Sequence, residues 1–250
     1  MRIHLSSVSL VLVCGCLPAQ QPRSARDTAP IDLTGYWVSA VTEDWRWRMV
    51  TPLKGDAASV PINAEARKIV DAWDPAKDEA AGLACKAYGA PGIMRLPGRL
   101  HITWKDENVL QVETDYGRQI RTFHFTAAPQ GAPSWQGYSS AKWETGTPSS
   151  VPGQFSLGLG PRLESKSRTL EVVTTQLRPG YLRKNGVPYS DKTLLREYYD
   201  LFTEPNGDTW FMVMTVVEDP AYLVTPFVTT THFKKQPDAT GWSPEDCNAR

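Results

Sequence analysis

Short runs of alternating apolar and polar residues dominate this chain, a pattern typical of β-strands with one buried face. The first and longest alternation runs from Tyr36 to Arg48 and places Trp37 and Trp45 on one face. Later runs of the same kind are shorter and are separated by turn-forming residues. They predict strands at residues 100–104, 109–114, 118–126, 135–144, 169–177, 194–203, 210–217 and 226–235.

One segment has a helical pattern instead. Asn63 is a suitable N-cap, and Val70 and Trp73 belong to an apolar stripe over residues 63–73. Asp74-Pro75 ends this helix, and a short helical turn is expected after it.

The residues between strands indicate direct hairpin connections. Lys184-Asn185-Gly186 and Glu204-Pro205-Asn206-Gly207-Asp208 are the strongest turn signals. Consecutive strands joined in this way predict an all-β fold with one short N-terminal helix, arranged as an up-and-down antiparallel β-barrel or a strongly curved sheet. Closure would remove exposed strand edges.

Composition narrows the range of functions. The 250 residues include 41% hydrophobic residues, which is enough for a core, and 27 basic against 27 acidic side chains. Without a basic excess, nucleic acid is not an expected partner. No dinucleotide fingerprint or phosphate-binding loop occurs, so no cofactor is predicted. Nine Trp and nine Tyr suit a pocket for an apolar or aromatic small molecule.

The N-terminus predicts export. A short basic start precedes an apolar run from Leu5 to Leu17, which suits a signal peptide over residues 1–19 and a linker over residues 20–31. Cleavage before Cys16 would give a lipid-anchored protein, and cleavage near Ala19 would give an ordinary exported one. The expected location is the periplasm or the outer membrane, with one β-barrel domain over residues 32–250.

The predicted domain contains two cysteines, Cys85 and Cys247. An oxidising compartment favours a disulfide between them, and two separate thiols are the alternative.

Several segments together resemble a family of exported bacterial proteins of unassigned activity. The matches cover residues 85–94, 135–139, 143–144, 170–175 and 182–220. Many members have His-Ser where this chain has Tyr138-Ser139, and they lack the insertion after Glu144. The resemblance implies no activity. Separately, Gly35-Tyr36-Trp37 is similar to the Gly-x-Trp opening of lipocalins, so the predicted barrel is lipocalin-like or calycin-like.

Candidate site residues fall into two groups. Tyr and Glu side chains can act as acid and base without a cofactor, and the catalytic candidates are Tyr138, Glu144, Tyr189 and His124. Arginines can clamp a carboxylate or phosphate, and the candidates for ligand binding are Trp45, Arg46, Arg48, Tyr181, Arg183 and His232. Salt bridges on a solvated face are the alternative role for the arginines. No metal ligand is assigned, because the alternation does not place His101, His124 and His232 together.

These observations leave three hypotheses. The first is an exported lipocalin-like barrel that binds a small apolar or aromatic molecule. The second is a cofactor-independent lyase, isomerase or cyclase that uses Tyr, Glu, His and Arg side chains in the barrel cavity. The third is a structural envelope protein. Residues 145–168, rich in Gly, Pro and Ser, are either a lid over a pocket or an insertion without function.

Overall fold

The alternating segments pair into one closed β-barrel in the computed structural model, which describes residues 23–144 and 168–249. The predicted signal peptide with Cys16 and the predicted lid at residues 145–168, apart from Arg168, lie outside the described residues. The strands are Gly35–Ser39 (β1), Arg99–Asp106 (β2), Val109–Thr114 (β3), Ile120–His124 (β4), Tyr138–Glu144 (β5), Thr169–Thr175 (β6), Gly180–Arg183 (β7), Val187–Tyr189 (β8), Leu194–Thr203 (β9), Thr209–Glu218 (β10) and Phe227–Gln236 (β11).

Nine strands close the barrel in the order β1-β11-β10-β9-β6-β5-β4-β3-β2, and β2 pairs back to β1. All neighbours are antiparallel except β4 and β5, which run parallel. Residues 125–137 carry the chain back before β5 begins, so the up-and-down prediction is wrong at this connection. The barrel itself is confirmed, and the two predicted hairpin turns join β7 to β8 and β9 to β10.

The first strand is much shorter than its sequence pattern predicts. β1 ends at Ser39, and residues Trp45–Arg48 form a single helical turn, α1. Arg48 accounts for this turn, because its Nη1 donates to the carbonyls of Ala40 (2.7 Å) and Glu43 (3.3 Å). These carbonyls therefore have hydrogen-bond donors without a neighbouring strand. Because residues 45–48 are helical, Arg46 and Arg48 do not share the strand face that the sequence pattern predicts.

More helix forms than the one short helix and the following helical turn that the sequence predicts. Besides α1, the helices are Ala64–Ala72 (α2), Pro75–Ala80 (α3) and Ala90–Ile93 (α4), with a 3-10 helix at Ala84–Tyr88. The predicted N-cap of α2 is confirmed, since Asn63 Oδ1 accepts from the backbone N–H of Ala66 at 3.0 Å.

These helices pack with the β7–β8 hairpin. Backbone carbonyls of Tyr181 and Leu182 lie so close to Gly92 of α4 that a Cβ there would be 3.1 Å from each. Gly186, at the hairpin turn, has φ +84° and abuts the Trp73 ring, so no other residue fits without strain. The helices and the hairpin together form a cap, by which we mean residues 45–96 and 180–189.

The disulfide prediction is confirmed. Cys85 and Cys247 are bonded across 162 residues of sequence. The bond fastens the C-terminal segment to the 3-10 helix of the cap.

Large side chains meet across the barrel interior. Trp37, Phe123, Tyr199, Phe211 and Phe233 are at most 1% exposed. Ring centroids of Trp37 and Phe211 are 4.7 Å apart, those of Phe211 and Phe233 4.8 Å, and those of Phe123 and Tyr199 5.7 Å. Since Phe123 and Tyr199 come from strands that are not neighbours, their contact crosses the interior.

A polar group shares this interior. Arg121 on β4 and Glu197 on β9 form a bidentate ion pair with both side chains fully buried (Nη1–Oε1 3.0 Å, Nη2–Oε2 2.5 Å). The Tyr199 hydroxyl donates to Glu197 at 3.2 Å, and Arg121 Nη2 also donates to Thr174 Oγ1 at 3.4 Å. The barrel centre is therefore occupied by side chains of the strands.

Candidate functional site

Three arginines converge where the cap meets one end of the barrel. Arg48 ends α1, Arg95 follows α4, and Arg183 ends β7. All three residues are only 4–6% exposed, which is unusual for a side chain with a permanent charge. The folding of the cap, and not a shared strand, brings them together.

Backbone carbonyls hold two of the three guanidinium groups in place, and a carboxylate holds the third. Arg48 Nε donates to the carbonyl of Arg95 at 2.9 Å, and Arg183 Nη1 donates to the carbonyl of Ala58 at 2.7 Å. Arg95 Nη2 donates to a carboxylate oxygen of Asp44 at 3.0 Å. Each guanidinium is therefore held by hydrogen bonds from only some of its N–H groups.

The remaining donors provide the chemical signal of this site. Arg48 Nη2, Arg95 Nη1 and Arg183 Nε are buried and have no hydrogen-bond partner among the described residues. A buried N–H without an acceptor costs about 1–3 kcal/mol, and more when the group is charged. Such donors at one place fit an acceptor that the chain itself does not supply.

The nearby carboxylates do not neutralise the cluster. Glu43 Oε2 is buried and lies 3.7 Å from Arg48, beyond hydrogen-bond distance, and Asp44 pairs with Arg95 at 3.0 Å, so the two carboxylates offset only part of the charge of three guanidinium groups. Burial and the charge of Arg95 lower the pKa of Arg48. The same two causes lower the pKa of Arg183 to about 10, so this guanidinium is still charged at neutral pH. Burial is the larger of the two causes, and the charges of nearby carboxylates oppose the lowering without cancelling it.

A small cleft opens between the arginines. It has a volume of about 80 Å³, enough for a carboxylate or phosphate group, since one water takes up roughly 30 Å³ in the liquid. Besides the arginines, Lys184 and Tyr116 line the cleft. Lys184 Nζ is already held by Asn248 Oδ1 (2.6 Å) and the Tyr116 hydroxyl (3.2 Å). We call this space the arginine cleft.

An apolar groove adjoins the arginine cleft. Its volume is about 700 Å³, and it is lined by Met49, Val50, Thr51, Pro52, Leu53, Lys54, Trp73, Asp74 and Pro75. Residues 49–52 line both spaces and form the wall between them. The polar cleft and the apolar groove therefore lie on two sides of one short segment.

The ligand-binding candidates from the sequence separate into two sets. Arg48 and Arg183 meet in the arginine cleft, whereas Arg46 pairs with Asp56 on the surface at 3.2 Å. Trp45 is 64% exposed and lines neither the cleft nor the groove.

Two further candidates for ligand binding lie beside the cleft and not in its wall. The Tyr181 hydroxyl donates to Asp78 at 2.8 Å and accepts from Lys86 at 3.2 Å. His232 Nδ1 makes a short contact with Glu43, which is the carboxylate nearest Arg48.

The catalytic candidates do not form one group. Tyr138 and His124 stack with ring centroids 5.2 Å apart on outward-facing positions of β5 and β4. Glu144 lies six residues further along β5 and pairs with Lys142 at 2.7 Å. Tyr189 is buried in the cap against Gly89, and burial raises its pKa, which makes it a weaker acid.

Sequence reasoning missed Arg95, the arginine in the middle of the cluster. It follows an apolar run in a non-strand segment, where no periodicity marks it. Its only signal is a charged residue between Met94 and Leu96 in an otherwise uncharged stretch.

The histidines have local partners. His101 stacks on Tyr36 with centroids 4.2 Å apart and contacts Glu113 at 3.3 Å. Within residues 23–144 and 168–249, no three His, Cys, Asp or Glu side chains are grouped as metal ligands. Over the same ranges, no helix combines the length and the hydropathy needed to cross a bilayer.

Comparison with protein-family models, with curated proteins and with solved structures gives no match to this chain. The resemblance to exported bacterial proteins and the lipocalin assignment thus stay predictions. The arginine cleft and the apolar groove are therefore the features of this chain that bear on its function.

Proposed function

We propose that this protein binds a small molecule that joins an anionic head group to an apolar body. The head group would accept hydrogen bonds from Arg48, Arg95 and Arg183 in the arginine cleft. The apolar body would lie along Met49 and Leu53 in the adjoining groove. This proposal retains the small-molecule binding hypothesis and moves the site from the barrel interior to the cap.

One observation carries the proposal: three buried guanidinium groups each keep a buried donor that has no acceptor within residues 23–144 and 168–249. Carboxylates and phosphates match guanidinium donors because charge-assisted hydrogen bonds are the strongest available. Trp47 and Phe227 pack against Arg183, with ring centroids 5.1 and 5.9 Å from its guanidinium carbon. They limit the positions that this side chain can take, which preorganises the cleft.

The groove supports the apolar half of the ligand. Its volume of about 700 Å³ lies within the range of roughly 300–1,000 Å³ that is usual for small-molecule sites. The filled barrel interior gives no comparable support for an internal ligand. A binding function is preferred to catalysis because the sequence-predicted acid and base candidates are dispersed.

Calorimetric titration with decanoate and with decanol tests this proposal. Decanoate should bind and decanol should bind much more weakly, because only the carboxylate accepts from the arginines. Arg183→Gln should weaken decanoate binding about tenfold or more, since a hydrogen bond to a charged group contributes roughly 1.5–3 kcal/mol.

Arg178→Gln is the matched control, because Arg178 is exposed and stacks on Trp135 at 4.6 Å, outside the residues that line the cleft. It should leave decanoate affinity unchanged. Equal binding of decanoate and decanol, or an unaltered affinity in Arg183→Gln, would refute the proposal. A thermal melt of each variant confirms that the fold is intact.

A further inference from the structure

Exposed apolar side chains concentrate next to the arginine cleft. Of the eight large apolar side chains that are well exposed in the described part of the chain, four lie within residues 45–54. They are Trp45 (64%), Met49 (51%), Val50 (62%) and Leu53 (82%). Single exposed apolar residues are ordinary on a protein surface, but four within one short segment mark a contact surface.

The exposed charged side chains of the same segment, Arg46 and Lys54, are both basic. Arg48 is buried, and Glu43, Asp44 and Asp56 lie just outside the segment in sequence. Arg46 reaches Asp56 at 3.2 Å but remains 64% exposed. Exposed apolar side chains next to basic ones are typical of segments that insert at the interface of a bilayer containing acidic lipids.

We propose that residues 45–54 dock on a membrane rich in acidic lipid, and that the ligand of the arginine cleft is an acidic lipid taken from that surface. The ligand identity rests on the proposed function. Trp45 would lie at head-group level, where the amphipathic indole ring is favoured, and Leu53 and Val50 would enter the acyl boundary.

The position of this segment relative to the two spaces supports one lipid bridging them. Residues 49–52 line both the arginine cleft and the apolar groove, so a lipid with its phosphate in the cleft would have its chain beside Met49 and Leu53. The surface that meets the bilayer is therefore continuous with the site that holds the lipid. An apolar partner surface would meet the exposed apolar side chains equally well, but it would supply no acceptor for the buried donors of Arg48 and Arg183.

Vesicle co-sedimentation tests the proposal with the full mature chain. Vesicles of phosphatidylcholine containing phosphatidylglycerol should retain the protein, and pure phosphatidylcholine vesicles should retain much less. Trp45→Ser should weaken retention about tenfold, whereas decanoate affinity should stay unchanged because Trp45 lines neither space. Ile120→Ser is the matched control, since Ile120 is an apolar residue on β4 that is 55% exposed.

Arg183→Gln separates the two parts of the proposal. It should abolish extraction of labelled phosphatidylglycerol into the soluble fraction and leave vesicle docking mostly intact. Salt should weaken docking, because added ions screen the attraction between exposed charges.

Each failure has a distinct meaning. If decanoate does not bind in calorimetry, the proposed function itself fails. If decanoate binds but acidic vesicles retain the protein no better than neutral ones, membrane docking is refuted and the proposed function stands. Equal loss in Trp45→Ser and Ile120→Ser would likewise refute docking, as would a solution dimer in which Trp45 is buried.

Discussion

Removing Arg121 should expose how strongly the barrel depends on its internal ion pair. Arg121→Met keeps the apolar stem but leaves the Glu197 carboxylate inside the barrel with only the Tyr199 hydroxyl as a donor, at 3.2 Å. Both side chains of the pair are 0% exposed, so water does not replace the lost partner. Breaking such a pair on one side costs about 3–5 kcal/mol, and we expect a loss of that size in the free energy of unfolding.

The double variant Arg121→Met/Glu197→Leu tests whether that loss comes from the unpaired charge of Glu197. With both charges gone, no ion needs desolvation, and Thr174 keeps its 2.7 Å hydrogen bond to Ser139. The Tyr199 hydroxyl alone loses its acceptor, at a cost of about 1–3 kcal/mol. Replacement of a buried pair by apolar residues typically gains about 1–4 kcal/mol, so the net change should be close to zero.

Urea unfolding followed by tryptophan fluorescence measures these values for the parent, both single variants and the double variant. A double variant that loses as much as the sum of the two single variants would refute the reasoning, because it would mean that the two residues do not act as a pair. So would a loss below about 1 kcal/mol in Arg121→Met. Decanoate binding should survive in the double variant, since the pair lies in the barrel interior and the proposed site lies in the cap.

Two further predictions concern the disulfide and the charge of the arginine cleft. Replacing Cys85 and Cys247 together by serine should lower the free energy of unfolding by about 2–5 kcal/mol, measured by urea titration against the unreduced parent. Alkylation of both cysteines without reductant would show instead that the bond is absent in solution. Decanoate affinity should be constant from about pH 6 to 9, where the ligand is ionised, and should fall as pH rises through about 10, where Arg183 loses its proton. The fall follows because neutral Arg183 no longer attracts the carboxylate, and an affinity that stays constant above that pH would contradict the lowered pKa of Arg183.

The barrel could be predicted because its strands show two local signals, the alternation of apolar and polar residues and the turn-forming residues between strands. Alternation marked each strand of the barrel, and the Glu204–Asp208 turn marked the β9–β10 hairpin. The parallel pairing of β4 with β5 could not be predicted in this way. It depends on the path of residues 125–137, which no periodicity specifies.

The first alternating run shows why a local pattern can mislead. Trp45-Arg46-Trp47-Arg48 alternates as a strand would, but four residues are too few to distinguish strand from helix. The hydrogen bonds that Arg48 donates to the carbonyls of Ala40 and Glu43 favour the turn, and an alternating pattern gives no sign of such bonds. For the same reason the sequence could indicate Arg48 and Arg183 as binding residues but could not place Arg95 between them.

The contrast between the two kinds of buried arginine supports a functional role for the cleft. Arg121 sits at the centre of the barrel, and both of its terminal nitrogens donate to Glu197. Arg121, whose role is structural, therefore has its counter-ion within the same barrel. Arg121 also keeps one unpaired buried donor, its Nε, but Arg48 and Arg183 differ from it because no carboxylate of the described residues lies at hydrogen-bond distance from either, and both line the arginine cleft with Arg95 and Lys184. Because that arrangement costs stability in the free protein, it is best explained by an anion whose binding recovers the cost.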